Sequence, residues 1–192
     1  HVRSRRQRQM CIRDRLNNIQ NKQKREMIEA ALVYYQKNTK DLLSQQRKQV
    51  IHNDMNPDNV LVAKENPQAV SGMIDFGDML YAPLINDLSV ACSYETIRAK
   101  SLYEGSKQLL LGYHNENKLT ENEVRLLPML AFNRVAMSLI ISEWRASEHP
   151  ENKEYILGNI GHTWMVFEGI TPDEIETVGE QLHALIAPSM KT

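Results

Sequence analysis

Between Val50 and Pro83 the spacing of apolar residues changes, and this constrains the fold more than any other feature of the chain. On both sides of the stretch apolar residues recur at steps of three and four. Inside it they come as short runs: Val50–Ile51, then NVLVA at Asn59–Ala63, then AVSGMID at Ala69–Asp75. Polar loops and an Asn66–Pro67 turn separate the runs. Runs of this length suit strands and are too short for amphipathic helices. The chain is therefore expected to be α+β, mainly helical, with a small β insert. So small a ribbon must lie on helices to be buried, which leaves its polar loops at one edge, where function can sit.

The flanks read as helices. Ile28, Ala31, Leu32 and Tyr35 predict an amphipathic helix over Ile19–Tyr35 that continues, with a break, to Lys48. After Pro83 helical segments are expected near residues 85–94, 101–114, 120–127, 129–146 and 172–186. Thr120 with Glu123, and Thr171 with Pro172 and Glu174, read as capping-box starts. Met137, Ile140, Ile141 and Trp144 form a stripe at helical spacing, a pattern that is more often core than binding site. Tyr34 with Tyr35, and Trp164 with Phe167, read as helix-packing aromatics.

At 192 residues and 42% hydrophobic, the chain can build one domain with a core. The longest apolar stretch, Met129–Ile141, is interrupted by Asn133 and Arg134 and is shorter than the roughly 20 residues a membrane span needs, so no membrane partner is expected. The two cysteines have no metal-type spacing, and His114, His149 and His162 are scattered, which points to a cytoplasmic chain without a zinc cluster. Residues 1–15 hold six Arg against one Asp, a net +5, so residues 16–192 carry −6 of the total −1. The run RRQRQMCIRDR, Arg5–Arg15, back-translates into codons resembling a sequencing-library adapter. Residues 1–15 are therefore read as a foreign segment, with a natural start further upstream, and not as an arm that binds nucleic acid.

The chemistry is concentrated in IHNDMNPDNVLV, Ile51–Val62, and MIDFGD, Met73–Asp78. Phosphoryl transfer asks little covalent chemistry of a protein. It needs a carboxylate at the attacking hydroxyl and oxygen ligands that hold Mg²⁺ on the phosphates. Asp54 and Asn59 share one loop between strands, five residues apart, and Asp75 closes a strand at a Phe-Gly turn. The plainer reading is that Asp54 is a cap and Asn59 part of a turn. The order of strand, loop and second motif favours catalysis.

These two segments resemble the catalytic loop and D-F-G position of the aminoglycoside phosphotransferase and choline kinase superfamily, which has a protein-kinase-like fold. The longer stretch VSGMIDFGDMLYAPLINDLSVACSY, with LLLGYH and SEWRA, is similar to its hydroxylysine kinase branch, some bacterial forms of which are fused to aminotransferase domains. The resemblance implies a kinase C-terminal lobe over residues 16–170, lacking the glycine-rich loop and strand lysine of the other lobe, with residues 171–192 a terminal helix or linker. It implies Asp54 as catalytic base, with His52 bracing the loop beside it. Asn59 and Asp75 would be the Mg²⁺ and nucleotide ligands, and Asp87 an architectural anchor. Asp78 could meet a second Mg²⁺ or a substrate amine, or merely solvate its loop. Glu143, Trp144 and Arg145 lie where the family builds its acceptor pocket. The implied reaction moves phosphate from ATP or GTP to an amino alcohol or amino sugar, and a fragment of this kind would be nearly inactive alone. A pseudokinase scaffold and a metal-dependent phosphohydrolase are the alternatives.

Overall fold

The computed structural model describes residues 14–190, so most of the basic segment lies outside the described residues. A single helical turn, Arg15–Asn18, precedes α1, Lys22–Asn38, which starts where the Asn21 side chain accepts a hydrogen bond from Lys24 N at 3.1 Å. The anticipated break falls at buried Thr39, and α2 follows at Lys40–Ser44. The insert contains β1 at Lys48–Ile51, β2 at Val60–Val62, β3 at Val70–Met73 and β4 at Leu80–Pro83. It forms two antiparallel ribbons. β2 pairs with β3, Val60 opposite Met73, and β1 pairs with β4, Lys48 opposite Pro83 and Ile51 opposite Leu80. β4 has no counterpart in the sequence reading. Its four residues follow a polar loop directly, and what makes them a strand is a partner strand 29 to 35 residues back.

The helical body comprises α3, Ile85–Ala99; α4, Leu102–Glu116; α5, Glu121–Glu148; α6, Lys153–Leu157; α7, Ile160–Gly169; and α8, Pro172–Ile186. The sequence suggested two helices meeting at Pro128, whereas α5 runs straight through. Proline cannot donate to the Val124 carbonyl and costs a helix interior roughly 3 kcal/mol. Here Pro128 is buried with Leu127, Met129, Leu130, Ala131 and Phe132, and that burial offsets the loss. At 28 residues, α5 is long and apolar enough to cross a bilayer by length and composition, but 67% of its apolar window is buried inside the protein. Its hydrophobicity is thus accounted for as the central core helix, with Val135, Leu139 and Ile140 also fully enclosed.

α7 carries Trp164 and Phe167 into this core. Phe167 stacks on Phe132 at 4.8 Å and meets Trp164 edge-on at 5.8 Å. α8 buries Ile175, Val178, Leu182 and Ile186 in the same cluster, so the terminal segment contributes a helix of the core. α3 and α4 approach so closely at Gly105 that a Cβ there would lie 2.4 Å from Thr96 N.

One polar clasp fixes the insert to the helices. Glu123, fully buried in the first turn of α5, accepts from Arg47 Nε at 3.0 Å and Nη2 at 2.6 Å, and from Thr120 N at 2.8 Å, while Thr120 Oγ1 accepts from Glu123 N. This is the reciprocal capping box expected from the sequence, extended by an arginine from the β1 side. Burial pushes the Glu123 carboxyl up. The hydrogen bonds from Arg47 and Thr120, with the Arg47 charge, outweigh that push and leave it below the ordinary carboxylate value. At Thr171 the hydroxyl likewise accepts from Glu174 N, at 3.2 Å.

Candidate active site

The Ile51–Val62 loop is built almost wholly from bonds between near neighbours. Asn56 precedes Pro57 and caps the short turn Pro57–Asn59, its Oδ1 accepting from Asp58 N at 2.9 Å and Asn59 N at 3.1 Å. Asn59, buried, returns its amide to Asp54, donating from Nδ2 to the Asp54 carbonyl at 2.8 Å and to its carboxylate Oδ2 at 3.2 Å. Asn56 Nδ2 reaches the same carboxylate oxygen at 3.2 Å. Two amide donors therefore orient the Asp54 carboxylate, and Asn56 is a participant that the sequence reading passed over. The Asn-Pro dipeptide, a cap followed by proline at the first turn position, was the available signal.

His52 couples this loop to the second one. Its Nδ1 accepts from Asp54 N at 3.3 Å and its Nε2 lies 2.9 Å from the Ile74 carbonyl. A backbone N–H can only donate and a carbonyl can only accept, so the two bonds together select the Nε2–H tautomer and engage both ring nitrogens. A ring so committed braces backbone and is poorly placed to shuttle protons. Phe76 packs against it with ring centroids 5.1 Å apart.

Asp75 follows immediately. Its backbone is in the left-handed region, φ 61°, and its Oδ1 accepts from Gly77 N at 3.4 Å. Ile74 N donates to the Asn59 carbonyl at 3.0 Å, so the residue before Asp75 is bonded to Asn59 itself. This pairing sets the two loops side by side. Asn53, also left-handed at φ 67°, is held from below: Asp87, in the first turn of α3, accepts from Asn53 N at 2.8 Å and His52 N at 3.4 Å. Two non-glycine residues in a strained region, flanking one site, mark a geometry held by its surroundings.

The residues present fit Mg²⁺. Asn59 spends its side-chain nitrogen on Asp54 and its backbone carbonyl on Ile74 N, which leaves the side-chain Oδ1 to meet a metal, and Asp75 offers an exposed carboxylate; hard oxygen ligands of this kind, few per site, are what Mg²⁺ takes when phosphates complete its shell. Among the described residues no group of three or more His, Cys, Asp or Glu side chains converges as a metal cage. His114, His149 and His162 are bonded elsewhere, to Leu119 N, Glu151 and the Ile97 carbonyl respectively.

Asp54 and Asp78 line a cavity of about 780 Å³ between the loops, α1, α3 and α5. From α5 it receives Leu130, Asn133, Arg134, Met137, Ser138, Ile141, Ser142 and Arg145, all on one helical face. Met137 and Ile141 of the apolar stripe thus line this cavity, while Ile140 is core. Arg145 is on the wall. Glu143 and Trp144 do not line it, and Trp144 lies beneath the Arg15 guanidinium, 3.5 Å from its ring centroid. Tyr94 is on the wall too, and its hydroxyl is pushed above the ordinary value, chiefly by burial and then by the Asp54 charge. Tyr94 and Arg134 were not anticipated as site residues.

With this geometry established, comparison with known proteins is decisive. The profile of the phosphotransferase enzyme family matches residues 3–119. The chain belongs to the phosphotransferase enzyme family. It is similar to hydroxylysine kinase of Mus musculus, 29% identical over 139 residues, which are 69% of this chain and 37% of the relative. The Bos taurus hydroxylysine kinase is 27% identical over the same shares, and that of Xenopus laevis 30% identical over 118 residues, 58% of this chain and 32% of the relative. The chain thus spans about 37% of the length of the first of these relatives. No solved structure matches significantly. Membership in the phosphotransferase family implies a kinase-like fold, and the α+β architecture described above is consistent with it.

Proposed function

We propose that the protein carrying this chain is a small-molecule kinase that moves the terminal phosphate of ATP or GTP to the hydroxyl of an amine-bearing acceptor. The observation that supports this best is the junction of the two loops, in which Asn59 clasps Asp54 on one side and is bonded to Ile74, next to Asp75, on the other. In this reading Asp54 is the group that meets the acceptor. Its carboxylate, fixed by Asn56 and Asn59, receives the hydroxyl proton as the alcohol oxygen bonds to the terminal phosphorus and the bond to the bridging oxygen breaks. Positioning supplies most of the acceleration, with proton transfer worth about 10²–10⁴. Asn59 and Asp75 would hold Mg²⁺, which neutralises charge on the phosphates when bound. Asp78, on the cavity side with Asp54, is suited to a substrate ammonium. Asp87 and His52 act through the loop they brace.

The ribbons expose Val50, Leu61, Val62, Val70, Met73 and Tyr81, and the turn after β3 exposes Phe76. Apolar side chains exposed in this number on one small insert suit an interaction surface, and in this reading they lie under the part of the enzyme that clamps the nucleotide. The 192-residue chain assayed by itself should accordingly turn over far more slowly than the whole protein.

The test is turnover by the whole protein with Mg·ATP or Mg·GTP and an amino alcohol panel. Asp54→Ala and Asp75→Ala should each lower kcat by at least about 10³, on the scale of removing a preorganised group. Undiminished turnover in both variants would remove the mechanism. Release of free phosphate with no alcohol present would favour a phosphohydrolase, and nucleotide binding without any turnover would favour a scaffold.

A further inference from the structure

Among the described residues, Asn53, Asp75 and Lys100 are the ones other than glycine with left-handed backbones. Two of them have an evident reason. Lys100 is the C-cap of α3, where a left-handed residue is an ordinary way to end a helix, and Asp75 carries the carboxylate assigned above to Mg²⁺. Asn53 does neither. Asparagine enters this region more readily than most residues, but glycine, without a Cβ, takes φ 67° at no steric cost. A side chain kept at this position therefore calls for a use.

The fold itself supplies none. The backbone N–H of Asn53 is spent on Asp87, and its side-chain amide makes no hydrogen bond among the described residues, whereas the amides of Asn56 and Asn59 in the same loop hold Asp54. Lack of a partner alone would not single it out, because other polar residues of the cavity wall share it. What does is the backbone and the place: Asn53 is half-buried on that wall, directly before Asp54 in the chain, and no other described residue of the wall has a positive φ. Strain of this kind collects where a ligand is held.

The ligand side of Asp54 also follows from the cavity. Asn59 and Asp75, the residues suited to Mg²⁺ and hence to the phosphates, do not line it, while Asn53, Asp54 and Asp78 do. A side-chain amide offers a donor and an acceptor without charge, so it can orient a polar group and leave an ammonium to the carboxylates.

Resting on the kinase reading, we infer that Asn53 is a specificity residue for the phosphoryl acceptor, its side-chain amide hydrogen-bonding a polar group of that molecule while Asp54 meets the hydroxyl. The left-handed backbone is what the loop bears to place an amide there.

Asn53→Gly separates the strain from the contact. It relieves the backbone, so its urea midpoint should equal or exceed that of the unsubstituted protein, whereas Asn53→Ala keeps a Cβ at positive φ and should fall below it. Isothermal titration of the whole protein, with a non-hydrolysable Mg·nucleotide present, would use 5-hydroxylysine, ethanolamine and kanamycin as probes. At least one should bind, and both variants should bind it about three- to tenfold more weakly, the scale of one neutral hydrogen bond, with nucleotide affinity unchanged. In turnover the same factor should appear in the acceptor KM and not in the nucleotide KM. The inference is overturned if no probe binds, if Asn53→Gly binds the acceptor as tightly as the unsubstituted protein, or if nucleotide affinity falls instead. A lower urea midpoint in Asn53→Gly would show that the side chain serves the fold and would overturn it as well. Phosphoryl transfer is read separately: a probe that binds, binds more weakly to both variants, and is never phosphorylated would sink the kinase reading and leave Asn53 as a ligand contact.

Discussion

Replacing Asp87 by alanine should show how the loop that carries Asp54 is held. The carboxylate accepts from Asn53 N at 2.8 Å and from His52 N at 3.4 Å. The first is a charge-assisted bond worth about 1.5–3 kcal/mol, and the second, long one no more than about 0.5 kcal/mol. Asn53 is also kept at φ 67°, a conformation costing an L-residue roughly 1 kcal/mol that relaxes once its anchor is gone. Asp87 is only half-buried, so water replaces part of what is removed. A loss of about 2 kcal/mol follows, and with a urea slope of about 2 kcal/mol/M the unfolding midpoint should fall by about 1 M. Asp87→Asn retains one acceptor and should lose about half as much. Native-state hydrogen exchange should show the Asn53 amide opening in Asp87→Ala while α5 amides follow global stability. If the whole protein is the kinase proposed above, the misplaced Asp54 should cost about 10² in kcat, the scale of an ångström of misalignment. A midpoint shift below about 0.2 M, with Asn53 exchange unchanged, would refute the claim that Asp87 carries the loop.

Two further outcomes follow from the helical body and its clasp. Gly105→Ala must place a methyl 2.4 Å from Thr96 N and 2.6 Å from Thr96 Cα, backbone atoms that cannot swing aside; separation of α3 from α4 should cost about 3 kcal/mol, read as a lower urea midpoint. Glu123 has a depressed folded pKa, so its contribution is fully present above the ordinary value of 4.5 and is lost as pH falls through the lower folded value. The acid limb of stability should therefore flatten in Glu123→Gln. At neutral pH that variant should lose about 2 kcal/mol, less than a fully buried pair because Arg47 is half exposed, and an unchanged acid limb would show that the pair does not govern it.

What the sequence determined by itself is the chemistry that closes over short distances along the chain. Asp54, Asn56 and Asn59 bond to one another within five residues, Asp75 caps its own Phe-Gly turn, and Thr120 with Glu123 starts α5. In each case residue type and spacing suffice, because the partner is already at hand and little chain entropy stands in the way.

Tertiary structure decided whatever depends on a distant partner. Leu80–Pro83 is a strand because Lys48–Ile51 lies beside it. α5 crosses Pro128 because a core surrounds the break, and Asp87 reaches a loop 34 residues away. Arg134 interrupts an apolar stretch in the sequence. In the fold it is half-buried on the wall of the cavity that Asp54 and Asp78 also line, and only packing could put it there, since the apolar residues around it drive the helix inward whatever this residue is.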